Sequence, residues 1–178
     1  TEPIIVERNS RSRTANGRNQ QWHDCGLFGI QLALRRAGVV HLWMHEVEIR
    51  ATNDFTTGRY VKDYDAIVTF RLERCVATAA LEYERSPKSS REYGRICDEL
   101  EREQRLSVFL YLAHSQQLQT FLLHGLRRTK RTILIANADE FCTNPRAAVL
   151  VDARTGHTRT FDFLFEHREV QAPFEFVL

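Results

Sequence analysis

Three carboxylates carry the first chemical signal in this chain: Asp65 in Lys62-Asp63-Tyr64-Asp65-Ala66-Ile67-Val68, and Glu82 and Glu84 in Ala80-Leu81-Glu82-Tyr83-Glu84-Arg85. Both stretches read as strands. Ala66, Val68, Phe70 and Leu72 alternate with Asp65, Ile67, Thr69 and Arg71, giving one apolar face and a second face that begins on a carboxylate. Glu82 and Glu84 share a face, because side chains two apart on a strand point the same way. If the strands are neighbours the three acids converge, and they raise one another's pKa unless a cation sits among them. A hard, oxygen-preferring divalent ion such as Mg²⁺ or Mn²⁺ answers that requirement.

The surrounding pattern predicts the elements that would hold these acids. A helix is expected from Asp24, a good N-cap, to Gly38, a good C′ residue, with Leu27, Ile30, Leu34 and Ala37 inward and Phe28 and Gln31 beside them. Val39 to Arg50 reads as a strand with Val47 and Ile49 on one face, and Asn53 to Gly58 as a turn. The Asp65 strand, a tight connection near Glu73 and Arg74, and the Glu82 strand follow. Ser86-Pro87-Lys88 ends the last of these, and Ser89 to Glu92 has the capping-box pattern that opens a second helix. Tyr93, Ile96, Cys97 and Leu100 form its inward stripe, with Arg91, Arg95, Glu99, Arg102 and Glu103 facing out. Ser107 to Ala113 is nearly all apolar, as expected of a buried parallel strand. A third helix covers Ser115 to Leu126, with Leu118, Phe121, Leu122 and Leu126 inward. Thr132 to Ala136 reads as a short strand, and Val149 to Val151 with Thr158 to Phe163 as a hairpin around Arg154-Thr155-Gly156. Trp43, Phe121 and Phe161 belong to the expected core. The class is α/β, a mixed sheet flanked by helices.

At 178 residues the chain suits one domain, and 43% apolar with 27% charged residues is a globular composition. Residues 1–21 carry Arg8, Arg11, Arg13 and Arg18 without apolar periodicity and read as a flexible basic arm or linker; the domain is expected over 22–178. The start at Thr1 suits a fragment whose upstream domain is missing. No run approaches the roughly 18 apolar residues a membrane span needs. Cys25, Cys75, Cys97 and Cys142 are scattered without CxxC pairs, which suggests reduced thiols in a cytoplasmic protein. Of 25 basic residues only Lys62, Lys88 and Lys130 are lysines, and arginine's planar fork suits phosphate. Arg127, Arg128, Lys130 and Arg131 follow the third helix, where they complement its dipole or form a phosphate-binding patch. The net charge of +2 means that any nucleic-acid surface is local.

The order αβββαβ with acids on the second and third strands resembles the PD-(D/E)xK nuclease superfamily, the restriction-endonuclease-like fold, over residues 22–126. Tyr64-Asp65 stands where that family has Pro-Asp, and Glu82-Tyr83-Glu84 where it has Glu-x-Lys. His23 at the first helix, Trp43 followed by Glu46, Asp65-Ala66 and Leu81 to Arg85 look most like replication-relaxation proteins of mobile elements and plasmids. The resemblance implies Mg²⁺- or Mn²⁺-dependent hydrolysis of DNA phosphodiesters. It assigns Asp65, Glu82, the Tyr83 carbonyl and Glu46 to the metal, and Glu84 takes the position of the family's lysine. Lys88, four residues on, is placed to swing in; Arg85 and Arg91 could stabilise charge; Lys62 has the opposite strand parity and is expected to point away. Alternatively Glu84 adds a ligand for a second metal. The expected partner is DNA, with Arg85, Arg91, Arg127, Arg128, Lys130 and Arg131 as phosphate contacts and a homodimer left open. A catalytically idle nuclease fold that binds DNA or a protein is the alternative.

Gln20-Gln21-Trp22-His23-Asp24-Cys25-Gly26-Leu27-Phe28 also looks like the cysteine segment of SUMO-protease-like and YopJ-like enzymes, where a helix N-terminus would activate the thiol. Those families place the catalytic His and acid well upstream, and only 24 residues precede Cys25 here, with His23 the sole histidine among them. Cys25 is therefore expected to be a small buried residue. The remaining histidines, His41, His45, His114, His124, His157 and His167, lack ligand spacing and are expected to be structural or surface groups, with His23 near the site.

Overall fold

The computed structural model describes residues 10–72 and 75–162. Within them the chain runs α1 (Ser10–Arg36), β1 (Val40–His45), α2 (Glu46–Phe55), β2 (Ala66–Leu72), β3 (Cys75–Glu84), α3 (Ser90–Arg102), β4 (Val108–Ala113), α4 (Gln116–Leu126), β5 (Thr132–Asn137), α5 (Ala138–Thr143), β6 (Val149–Asp152) and β7 (Thr158–Thr160). The strands form one seven-stranded mixed sheet, lying side by side in chain order. β1 to β3 are an antiparallel meander, β3 to β5 are parallel, and β6 and β7 return antiparallel. Parallel neighbours need a crossover connection, which α3 and α4 provide.

The alternation along β2 sorts its residues as expected. Ala66, Val68 and Phe70 pack on one face with Ile30 and Leu34 of α1 and Phe141 of α5. Ile67 packs on the other, with Ile49 of α2, Tyr93, Ile96, Cys97 and Leu100 of α3, and Leu118, Leu122 and Leu126 of α4. β4 lies mid-sheet with helices on both sides, which is why Phe109 to Ala113 are buried without alternation. α3 starts where its capping box places it: Ser89 accepts the Glu92 amide, and the Glu92 carboxylate accepts the Ser89 amide at 2.8 Å. The hairpin turn is stabilised by Asp152, which accepts from the amides of Arg154 and Thr155, with Gly156 in the left-handed region at φ +73°.

Several expectations are corrected. α1 begins at Ser10, so the segment 10–21 is helical and continuous with the helix expected at Asp24. No proline interrupts the chain between Pro3 and Pro87, and extending a helix already packed at its C-terminal half costs little. Val39 to Arg50 is not one strand. β1 stops at His45, whose amide donates to the Glu48 carboxylate at 2.7 Å, and α2 then buries Ile49 while leaving Val47 exposed. A period-two reading of Val47 and Ile49 missed this switch. α5, capped by the Asn137 side chain, was not anticipated. Phe28 and Phe121 are exposed where an inward position was expected, and Gln119 takes a buried place on α4. Glu103 is fully buried rather than outward. The connection at Glu73 and Arg74, Phe163 at the hairpin end, and His167 lie outside the described residues.

Candidate functional site

The acids meet because of strand register. Ala66 pairs with Leu81, which sets Asp65, just before β2, opposite Glu82 at the end of β3. Asp65 is further tied to β3 by its Oδ2, which accepts the Tyr83 amide at 2.7 Å. Glu82 and Glu84 leave β3 on the face covered by α3, and both are buried. Tyr111 of the parallel neighbour β4 is the register partner of Glu82. Asp65, Glu82, Glu84 and Tyr83 are therefore brought to one end of the sheet, at the C-terminal ends of the parallel strands.

Each acid meets a cation of the protein. His23 Nε2 lies 3.2 Å from Asp65 Oδ2 and 3.1 Å from the Tyr83 carbonyl. Both of these oxygens are acceptors, so Nε2 carries the proton. The bonded Asp65 carboxylate lifts His23 to about 9 against the opposing effect of burial, with Asp24 adding to the rise. Lys88 pairs with Glu84 across four residues, as its position suggested. Lys62 reverses expectation: its Nζ lies 2.7 Å from Glu82 Oε1 and 5.4 Å from the centroid of the Tyr64 ring. Parity does not govern it, because β2 begins only at Ala66 and residues 61–65 are not strand.

Burial raises the Glu82 carboxyl; Lys62 opposes the rise, and Asp65 and Glu84 reinforce it. Burial alone would lower Lys62, yet Glu82 beside it holds it above the ordinary lysine value. The contact is close in distance without hydrogen-bond angles, and Glu82 Oε1 has no hydrogen-bond partner. Tyr111 Oη is buried without a hydrogen-bond partner too, whereas His23 Nδ1, which has no hydrogen bond, lies 3.6 Å from Asp24 Oδ1. Buried polar atoms are normally satisfied, and unsatisfied ones in a native fold mark strain, chemistry or a missing ligand. Burial together with Glu82 and Glu84 raises Tyr111 well above an ordinary phenol, so it stays protonated.

The donors that a hard divalent cation would take here are all engaged by cations of the protein: Lys62 Nζ lies 2.7 Å from Glu82 Oε1, and Asp65 Oδ2 and the Tyr83 carbonyl converge on the point where the His23 N–H sits. The set is two carboxylates and a carbonyl. Among the described residues no three His, Cys, Asp or Glu side chains are disposed to hold a metal ion together. Glu46, on the first turn of α2, pairs with Arg50, which also binds Asp63.

The expected phosphate contacts divide. Arg85 donates to the Asn19 carbonyl at 3.2 Å, and Arg91 is exposed on the first turn of α3, so both belong to the acid end. Arg127, Arg128, Lys130 and Arg131 do not. α4 runs back beside β4, whose six residues span roughly 20 Å, and delivers them to the opposite end of the sheet. There Arg131 donates to the Glu101 and Glu103 carbonyls at the end of α3, and Glu101 accepts the Lys130 amide. Cys25 is exposed, not buried, and lies in the middle of α1, away from any helix N-terminus that would activate it. Sequence reasoning missed Lys62 and Tyr111. The only signal for Lys62 was its place three residues before Asp65, and Tyr111 was hidden in an apolar run.

No helix among the described residues is long and apolar enough to cross a membrane. No family model matches this chain, and no match was found among curated proteins or solved structures.

Proposed function

We propose that this chain is a metal-dependent DNA endonuclease-like domain that hydrolyses phosphodiester bonds. The observation that carries the reading is the juxtaposition of Asp65, Glu82 and Lys62 at one end of β2 and β3. The order α1, β1, β2, β3, α3, β4, with α2 inserted after β1, supports a restriction-endonuclease-like core. The free cysteines Cys25, Cys97 and Cys142 suit a reducing compartment such as the cytoplasm.

Asp65, Glu82 and the Tyr83 carbonyl would hold Mg²⁺ or Mn²⁺. When bound, the metal polarises the phosphate and acidifies a water. Lys62, kept charged by Glu82, would supply the positive charge that Glu84 cannot and would donate to a phosphate oxygen entering at the strand ends. Glu84 is neutralised by Lys88 and serves to orient that lysine. Arg85 and Arg91 flank the same end and suit the DNA backbone. The expected outcome is Mn²⁺-dependent nicking of supercoiled DNA that falls at least about 100-fold in Asp65→Ala, Glu82→Ala and Lys62→Ala, with folding unchanged by circular dichroism. Retained cleavage in both acid variants would rule out this site.

A second reading is favoured by the cation already paired with each acid, His23, Lys62 and Lys88. It is an idle nuclease fold that binds DNA. DNA affinity would then survive Asp65→Ala and Glu82→Ala and fall with salt.

A further inference from the structure

Helix α1 approaches β3 more closely at Gly26 than a side chain would allow. A Cβ there would lie 2.3 Å from Tyr83 Cε1 and 2.7 Å from Cζ. His23, one turn earlier on the same side of the helix, stacks near Tyr83 with ring centroids 5.5 Å apart. Its single Nε2–H points between Asp65 Oδ2, from the residue just before β2, and the Tyr83 carbonyl of β3. Earlier still, the Asn19 carbonyl accepts from Arg85. The N-terminal part of α1 is thus tied to the acid end by polar contacts, and among the described side chains of the helix the fully buried apolar ones begin at Ile30, with Leu27 partly buried before it. Polar contacts of this kind are displaced by a competing ion far more readily than packed side chains.

We infer that His23 is a built-in occupant of the cation position: α1, admitted by Gly26, plugs the point between Asp65 and the Tyr83 carbonyl and holds the site latent until a divalent ion displaces the ring. This rests on the nuclease reading and adds its regulation. A purely structural His–Asp pair would behave differently, since removing a structural contact does not improve metal binding.

The test is calorimetric titration of Mn²⁺ into the full chain at one pH, comparing wild type, His23→Ala, Gly26→Ala and Glu82→Ala, with folding followed by circular dichroism and thermal melting. His23→Ala is expected to bind Mn²⁺ about tenfold more tightly or better, the size of a lost charge-assisted competitor. Gly26→Ala shifts affinity the same way by a smaller factor, because its Cβ lifts α1, and the imidazole with it, from Tyr83 without removing the imidazole. Glu82→Ala weakens binding. Wild-type binding with no gain in a folded His23→Ala variant overturns the plug and leaves the metal site standing. No binding in either protein overturns both. If His23→Ala fails to fold, Gly26→Ala decides by the same criterion.

Discussion

Two buried glutamates, Glu82 and Glu103, show opposite ways of placing a carboxylate inside this protein. Glu103 is wholly enclosed and saturated: Oε2 accepts the Val61 amide at 3.0 Å and the Tyr64 hydroxyl at 3.1 Å, and Oε1 accepts the Arg105 amide at 2.8 Å. Glu82 is nearly as buried, faces a lysine, and leaves an oxygen with no hydrogen bond. The first is the bonding of a structural group that fastens the 60–64 segment to the end of α3. The second is held by an ion pair with one flexible side chain. Burial by itself therefore does not distinguish the two glutamates; the way each carboxylate is satisfied does.

The contrast breaks most visibly under substitution of the acids themselves. Glu103→Ala strands two backbone amides and a phenol, so a loss of about 3 kcal/mol or more is expected in urea unfolding. Glu82→Gln keeps the shape, removes the buried charge, and leaves Lys62, with 23% of its side chain exposed, free to turn toward water. Because Lys62 can reach water and still lies near Asp65 and Glu84, the variant's stability should fall by less than that of Glu103→Ala, by about 1–2 kcal/mol, while Mn²⁺ binding is weakened. Equal costs for the two variants would erase the distinction. Tyr64→Phe sharpens it, removing a single bond to Glu103 while both amides remain, for about 1 kcal/mol.

The smallest expected effect is pH dependence at His23. Its folded value, about 9, lies above the ordinary 6.5, so the native chain holds a proton that the unfolded chain releases. That contribution is fully present below pH 6.5 and is lost as the pH rises through about 9. Because solvent reaches part of the pair, the change should amount to less than about 1 kcal/mol. Urea midpoints at pH 6 and pH 9.5 would show it: the advantage of wild type over His23→Gln should shrink at the higher pH. An advantage that does not change with pH would mean that Asp65 does not hold the imidazolium.

Much of the frame could be read from local pattern. The β2 alternation, the Ser89–Glu92 capping box and the apolar run of β4 each report which face of an element is covered, and the structure reproduces all three. His23 near the acids and Lys88 beside Glu84 were legible for the same reason, since each is tied to its partner by element order or helical spacing. What failed lay where periodicity lapses. Lys62 precedes β2 and Glu103 follows α3, so neither strand parity nor helical phase says where they point.

The sequence by itself determined the α/β class, the order of most elements and the pairing of Asp65 with the β3 acids, because hydrophobic period and caps are properties of neighbouring residues. Only the tertiary structure decided that Lys62 reaches Glu82, that Tyr111 sits beside them without a partner, and that the basic run after α4 lies at the far end of the sheet. Those outcomes depend on register across strands and on the direction in which each crossover returns, which are set by contacts between residues distant in the chain.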